Sequence, residues 1–204
     1  MISETRKPLR ADAARNAEKI VRAAREVYAE QGPEAPLDEI ARQAGVGIAT
    51  LFRRFPDKGT LLREVMDQQF REQVLPVVER AMADEDPRRG LTLVLEAALS
   101  SAAGDYNVLT AARAAGVLTA ETGDQFFVAL ERLVERGRQA GVVRDDLVPD
   151  DLRRIMAMLV SVLWTMDPDE DGWKRYVTLI LDGLSPAAAT PLPHPAPALR
   201  RRTP

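Results

Sequence analysis

The chain has 204 residues, 46% hydrophobic and 29% charged, with 28 Lys/Arg against 31 Asp/Glu and a formal net charge of -3. That length allows one large domain or two small ones around a real core. With no cysteine, disulfides, thiolate metal sites and cysteine nucleophiles are excluded. No apolar run reaches the roughly 20 residues of a membrane span, and no apolar stretch follows the basic N-terminus as a secretory signal requires, so a cytoplasmic location without membrane attachment is expected.

Charge is unevenly distributed. Residues 1–60 hold 11 Lys/Arg against 9 Asp/Glu, whereas residues 61–185 hold 14 against 22. A basic end on an acidic body suits an N-terminal region that meets phosphate. Residues 1–11, with Arg6, Lys7 and Arg10 around Pro8, read as a flexible basic arm. From residue 12 to 31 the pattern turns helical: Ala17, Ile20, Val21, Ala24, Val27 and Tyr28 share one side, Asp12 is placed to cap, and Gly32-Pro33 ends the helix.

Residues 37–58 carry the strongest local signal. Leu37, Ile40, Ala41 and Ala44 recur at helical spacing, Gly45 stops that helix, and Gly47 opens a second bearing Leu51 and Phe55 on one face. Two short helices across a glycine turn form a helix-turn-helix, whose second helix can enter a DNA major groove. A plain helical hairpin fits the same spacing. Phe55-Pro56 breaks the chain, and Asp57 is placed to cap a fourth helix with Lys58 in its first turn.

That helix runs through Leu61, Leu62, Val65, Met66 and Phe70, with a bend expected near residues 73–75 ahead of Pro76. Further helices are expected over about 88–103, 105–115, from Thr119 or Glu121 to Gly141, 150–166 and 172–184. The paired acids Asp145-Asp146 and Asp150-Asp151 read as loop and helix-start charges. The proline-rich residues 186–204 are expected to be disordered or polyproline-like. No stretch alternates with period two, so the chain is expected to be all-α.

The combination of Ile20 to Tyr28 with Gly32, Ile40-Ala41 with Ala44-Gly45-Val46, Thr50-Leu51-Phe52-Arg53-Arg54-Phe55, and Pro56-Asp57-Lys58 with Leu61-Leu62 resembles the tetracycline-repressor (TetR/AcrR) family of bacterial transcription regulators. The match covers roughly residues 12–65; beyond residue 70 only the helical layout agrees. The resemblance implies a helix-turn-helix DNA-binding domain at 12–56 and a helical ligand-binding and dimerisation domain at 57–185. It also implies a homodimer through the last two helices, a near-palindromic double-stranded DNA operator and a small-molecule effector.

The DNA-contacting set it implies is Gly47, Ile48, Ala49, Thr50, Phe52, Arg53, Arg54 and Lys58. Ile48 and Ala49 can meet a thymine methyl, Thr50 a base edge or phosphate, and Arg53 and Arg54 a phosphate or guanine. Lys58 corresponds to a phosphate clamp of the family. Three positions depart from the family's pattern: Pro36 where Thr is common, Gly47 where Ser or Thr is common, and Phe52 where Tyr is frequent. With fewer neutral phosphate donors, affinity falls to Arg and Lys, and a steep salt dependence is expected. The ligand set implied is Met66, Phe70, Tyr106, Phe126, Phe127 and Trp164, which favours an apolar or aromatic effector.

The only histidine, His194, lies in the proline-rich tail, so there is no Ser-His pair and no imidazole metal site. Neither catalysis, a metal nor a cofactor is expected. Two other readings stand beside the ligand-responsive repressor: a DNA-binding regulator without an effector, and a helical protein-interaction module.

Overall fold

The computed structural model of the chain describes residues 6–118, 123–167 and 170–193. Its α-helices are α1 (Arg6–Gln31), α2 (Leu37–Gln43), α3 (Ile48–Arg54), α4 (Lys58–Gln69), α5 (Leu75–Ala83), α6 (Pro87–Gly104), α7 (Tyr106–Ala114), α8 (Asp124–Gln139), α9 (Pro149–Val162) and α10 (Lys174–Gly183), with no strand among the described residues. The all-α expectation is borne out. None of the described helices is long and apolar enough to cross a membrane.

Two compact units divide the chain: Met1–Gln68 with Asp105–Leu118, and Gln69–Gly104 with Thr119–Pro204. In the first unit α1 begins at Arg6, six residues before the expected start, so the basic arm is helical from that point. Proline permits this. Pro8 falls in the first turn, where its missing N–H has no intrahelical partner to lose. Residues 1–5 lie outside the described residues.

Ile20, Val21, Ala24, Val27 and Tyr28 of α1 pack on Ile40, Ala41, Leu51 and Phe55, with Leu61, Leu62 and Val65 of α4 closing the core. The turn between α2 and α3 is a Schellman motif. Val46 N–H donates to Ala41 O at 3.0 Å and Gly45 N–H to Arg42 O at 3.1 Å, which requires the left-handed φ of 67° that Gly45 adopts. Asp57 caps α4 as expected: its Oδ1 accepts from the Thr60 amide at 2.7 Å and the Thr60 hydroxyl at 3.0 Å.

The first unit also takes in α7, which had been expected in the ligand-binding part. Val108, Ala111 and Ala112 sit in the same core as Ile20 and Leu51. Arg25 Nη2 pairs with Asp105 Oδ2 at 2.8 Å, and Asn107 Nδ2 donates to Ala29 O at 3.4 Å. After α7, Val117 presses on Gly59 so closely that a Cβ there would lie 2.8 Å from Val117 Cγ1.

In the second unit Phe70–Val74 forms a π-helical turn, closed by Leu75 N–H donating to Phe70 O. The bend expected ahead of Pro76 therefore takes the form of a widened turn, which relieves the clash of the proline ring with the carbonyl four residues back. Gln69, buried, donates to Ser101 O at 2.6 Å. Arg136 of α8 donates to the carbonyls of Ala81 at 3.1 Å, Met82 at 2.8 Å and Asp84 at 2.6 Å, so a guanidinium satisfies the last turn of α5. The expected helix start at Thr119 or Glu121 lies outside the described residues; α8 begins at Asp124. The last helix likewise starts at Lys174, after a 3-10 turn at Asp171–Trp173. The tail, expected to be disordered or polyproline-like from 186, makes a 3-10 turn at Pro186–Ala188 and is described as far as Pro193.

Hydrogen bonds from the Thr60 amide first, then the Thr60 hydroxyl, hold the Asp57 carboxyl below the usual carboxylate range. Its contribution is therefore complete above the ordinary Asp value and is lost as pH falls through the lowered one. Asp57→Ala should cost about 1 kcal/mol at neutral pH, and the gap from wild type should close at the acid end. Urea unfolding at both pH values checks this.

Candidate nucleic-acid interface

The geometry of α3 follows from its inner face. Leu51 is fully buried and Phe55, just past the helix, is almost so, and these two fix which residues point out. Ile48 is 41% exposed and Phe52 46% exposed; Ala49, Arg53 and Arg54 are also exposed, and Thr50 is half-buried. Seven of the eight predicted DNA-contacting residues are thus brought together on one short helix and the residue before it. Gly47 is the N-cap, with extended backbone and no side-chain cap, and α2 likewise starts at Pro36 without one. A Cβ on Gly47 would meet nothing within 4 Å.

The charges of this face are distributed unequally. Arg42, at the end of α2, is tied to Glu39, its Nε donating to Oε2 at 2.9 Å; that pairing holds the Glu39 carboxyl below its ordinary value. Among the described residues neither Arg53 nor Arg54 pairs with a carboxylate. The Arg54 guanidinium lies 5.4 Å from the centre of the Phe55 ring.

Lys58 stands apart from the other seven. It is half-buried, its Nζ donates to Pro33 O at 3.0 Å and lies 5.5 Å from the centre of the Tyr28 ring. One of its three donors is therefore spent on holding the α1–α2 turn. Beneath it the Tyr28 hydroxyl is pushed up to about 12, by burial first and by the charge of Glu34 second. No sequence signal had pointed to this Tyr28–Lys58–Pro33 arrangement, because it joins residues 25 or more positions apart.

The predicted ligand residues fall in both units. Met66 and Tyr106 belong to the first unit, Met66 packing on its core. Phe70, Phe126, Phe127 and Trp164 belong to the second. There Phe70 meets Phe126 edge-on with centroids 6.2 Å apart, and Phe126 meets Phe127 at 5.2 Å. Trp164 is half-buried in a 3-10 turn at Leu163–Thr165. A shallow open groove of about 460 Å³ lies elsewhere in that unit, lined by Met82, Val128, Glu131, Arg132, Glu135 and Arg136. Sequence reasoning had named none of these six. Among the described residues no group of acids and histidines could hold a metal ion.

A buried Leu-Phe pair that turns apolar and cationic side chains outward from a helix behind a Schellman turn is the geometry of a helix-turn-helix, the class of fold whose second helix reads DNA. Comparison with known proteins agrees. A family model described as bacterial regulatory proteins of the tetR family matches residues 20–65, and one described as the C-terminal domain of SbtR-like transcriptional regulators matches residues 86–186. An uncharacterised HTH-type transcriptional regulator of Mycobacterium tuberculosis is 30% identical, over 86% of this chain and 89% of its own length.

Among solved structures, a TetR regulatory protein from Mycobacterium vanbaalenii is 32% identical with a TM-score of 0.54, over 87% of this chain and 99% of that one. The transcriptional regulator FadR from Bacillus subtilis, solved in complex with stearoyl-CoA, is similar in fold at 20% identity and a TM-score of 0.61, over 84% of this chain and 99% of that one. The chain belongs to the TetR family of DNA-binding transcriptional regulators, and it is not an enzyme. Family membership sets aside the reading of residues 37–58 as a mere hairpin.

Because a Cβ at Gly47 has open space, Gly47→Ser should supply the missing cap and stabilise the protein by a few tenths of a kcal/mol. The added neutral donor should tighten DNA binding severalfold while leaving the slope of log K against log salt unchanged, since a neutral group releases no counterion. Anisotropy titrations over a salt series read both effects.

Proposed function

We propose that the protein is a homodimeric repressor that binds a near-palindromic operator through α3 and is released by a small apolar or aromatic molecule. The observation that carries this reading is the outward face of α3, where Ile48, Ala49 and Phe52 are exposed beside unpaired Arg53 and Arg54. Ile48 and Ala49 meet thymine methyls, Thr50 a base edge or phosphate, and the two arginines phosphates or guanine. Gly47 and Phe52 lie against the backbone without donating a side-chain hydrogen bond. Lys58 reaches phosphate with the donors that Pro33 leaves over.

Exposed apolar side chains on the last two helices support the dimer. Met158 on α9 is 54% exposed, and Leu179 and Tyr176 on α10 are 53% and 40% exposed. A C₂ pairing of these faces removes them from water and presents two reading helices roughly 34–36 Å apart. The cluster of Phe70, Phe126 and Phe127 beside a π-helical turn supports an apolar effector, since such turns recur at functional sites. Effector binding then favours a conformer with mismatched α3 spacing, transmitted through α4, by no more than its differential affinity for the two states.

One observation favours the regulator without an effector: Phe126 and Phe127 are buried at 7% and 8% exposure, and the described groove does not include them. The experiment that separates the readings is selection of genomic fragments on the purified protein, followed by titration of apolar and aromatic molecules into the bound complex. Release by a molecule that binds saturably supports the repressor. Tight binding that leaves operator affinity unchanged defeats it.

Two variants test the parts. Met158→Asp with Leu179→Asp changes exposed positions, so the fold should persist while sedimentation shows a monomer. Operator affinity should then fall about 10²–10⁴-fold as the second half-site contact is lost. Arg53→Ala should reduce the steepness of the salt plot by about 2 per dimer if both copies contact phosphate, at ~0.9 per contact.

A further inference from the structure

The tail beyond α10 is fastened to the loop between α8 and α9 by one acid-base pair. Arg144 Nε and Nη2 donate to Asp146 Oδ1 at 2.5 Å and Oδ2 at 2.8 Å. The same Nη2 donates to Thr190 O at 2.6 Å, and Asp146 Oδ2 accepts from the Leu192 amide at 3.2 Å. The Arg144 main-chain N–H also donates to Leu184 O at 2.8 Å, at the end of α10. The Arg144 side chain is only 11% exposed and the Asp146 side chain 41%, so the arginine is the covered half of the pair and the carboxylate its solvent-facing half.

What it holds is main chain. The Leu192 side chain is 46% exposed and contributes nothing to the recognition described. The carbonyl of one residue and the amide two positions on lie on the same side of an extended chain, and the pair meets both. The tail sequence favours that conformation, because Thr190 precedes Pro191 and Leu192 precedes Pro193, and a residue before proline is biased to extended backbone. Little ordering entropy then opposes docking.

We propose that Arg144 and Asp146 form a backbone-reading latch whose ligand is the chain's own Thr190–Pro191–Leu192 segment. The latch ties the loop leading into α9 to the chain leaving α10, and so closes the open end of that helix pair. It accepts an extended peptide with proline after each of the two contacted residues and is indifferent to the side chain between prolines. The Asp146 carboxyl is held down at about 2, chiefly by Arg144 and further by the Leu192 amide, so the latch stays charged at any working pH.

Hydrogen exchange of the Leu192 amide in the full chain tests it. The amide should exchange at least tenfold more slowly than in a free peptide of residues 186–204. Asp146→Ala and Arg144→Gln should each return it to the free-peptide rate while amides in the α1 core keep their protection. Pro191→Gly with Pro193→Gly, which leaves the acid-base pair intact, should loosen it severalfold. Exchange at the free-peptide rate in the wild-type chain overturns the latch, as does protection that survives both substitutions in the pair.

Discussion

Everything proposed for the reading head rests on the burial of Leu51 and Phe55. A helix of seven residues is not stable by itself in water, because nucleation fixes several residues for each hydrogen bond gained. Here neither α2 nor α3 has a side-chain N-cap, so local hydrogen bonding contributes less than usual. Packing must supply the difference. Leu51 and Phe55, both nearly inaccessible, each give roughly 1.5–3 kcal/mol of burial and fix the rotation of α3. That rotation, and nothing intrinsic to Ile48 or Arg53, is what makes the outer face available.

This part of the molecule was legible because its determinants are short-range. The spacing of Ile40, Ala41 and Ala44, the stop at Gly45, and the cap of Asp57 on Thr60 all act within four residues, so a linear reading reaches them. The placement of α7 shows the opposite case. Val108, Ala111 and Ala112 have helical spacing and announce an apolar face, but spacing does not say what covers it. The answer depends on Arg25 meeting Asp105 and on Gly59 admitting Val117, pairs separated by 80 and 58 positions. The expected boundary after residue 56 followed the sequence motif, whereas the compact unit follows the core.

Proline produced the other surprises, each time through its neighbours. Pro8 sits in a stretch without apolar periodicity that reads as a flexible arm, yet at the third position of a helix it costs no hydrogen bond. Pro76 was read as a kink, and the chain absorbs it in a π-turn five residues long. The tail prolines point to disorder or to a polyproline-like chain, and rigid residues also make cheap ligands: Asp146, a loop charge by sequence, holds the backbone between them. In all three the composition was visible, and what the backbone around the proline does was not.

The chemistry of the α3 face sets how such a head can discriminate. Phosphate contacts position a protein without reading sequence; on the proposed reading they fall mainly to arginines, because Pro36, Gly47 and Phe52 offer no side-chain hydroxyl and Arg42 is already engaged by Glu39. The apolar contact proposed for Ile48 and Ala49 would distinguish thymine from the other bases but would form no bidentate pair. On the proposed reading, specificity therefore cannot rest on a dense hydrogen-bond code. It rests on a few methyl contacts, on whatever guanine Arg53 or Arg54 reaches, and on the spacing imposed by the dimer. Spacing is the one of these that a distant effector can change without touching the interface.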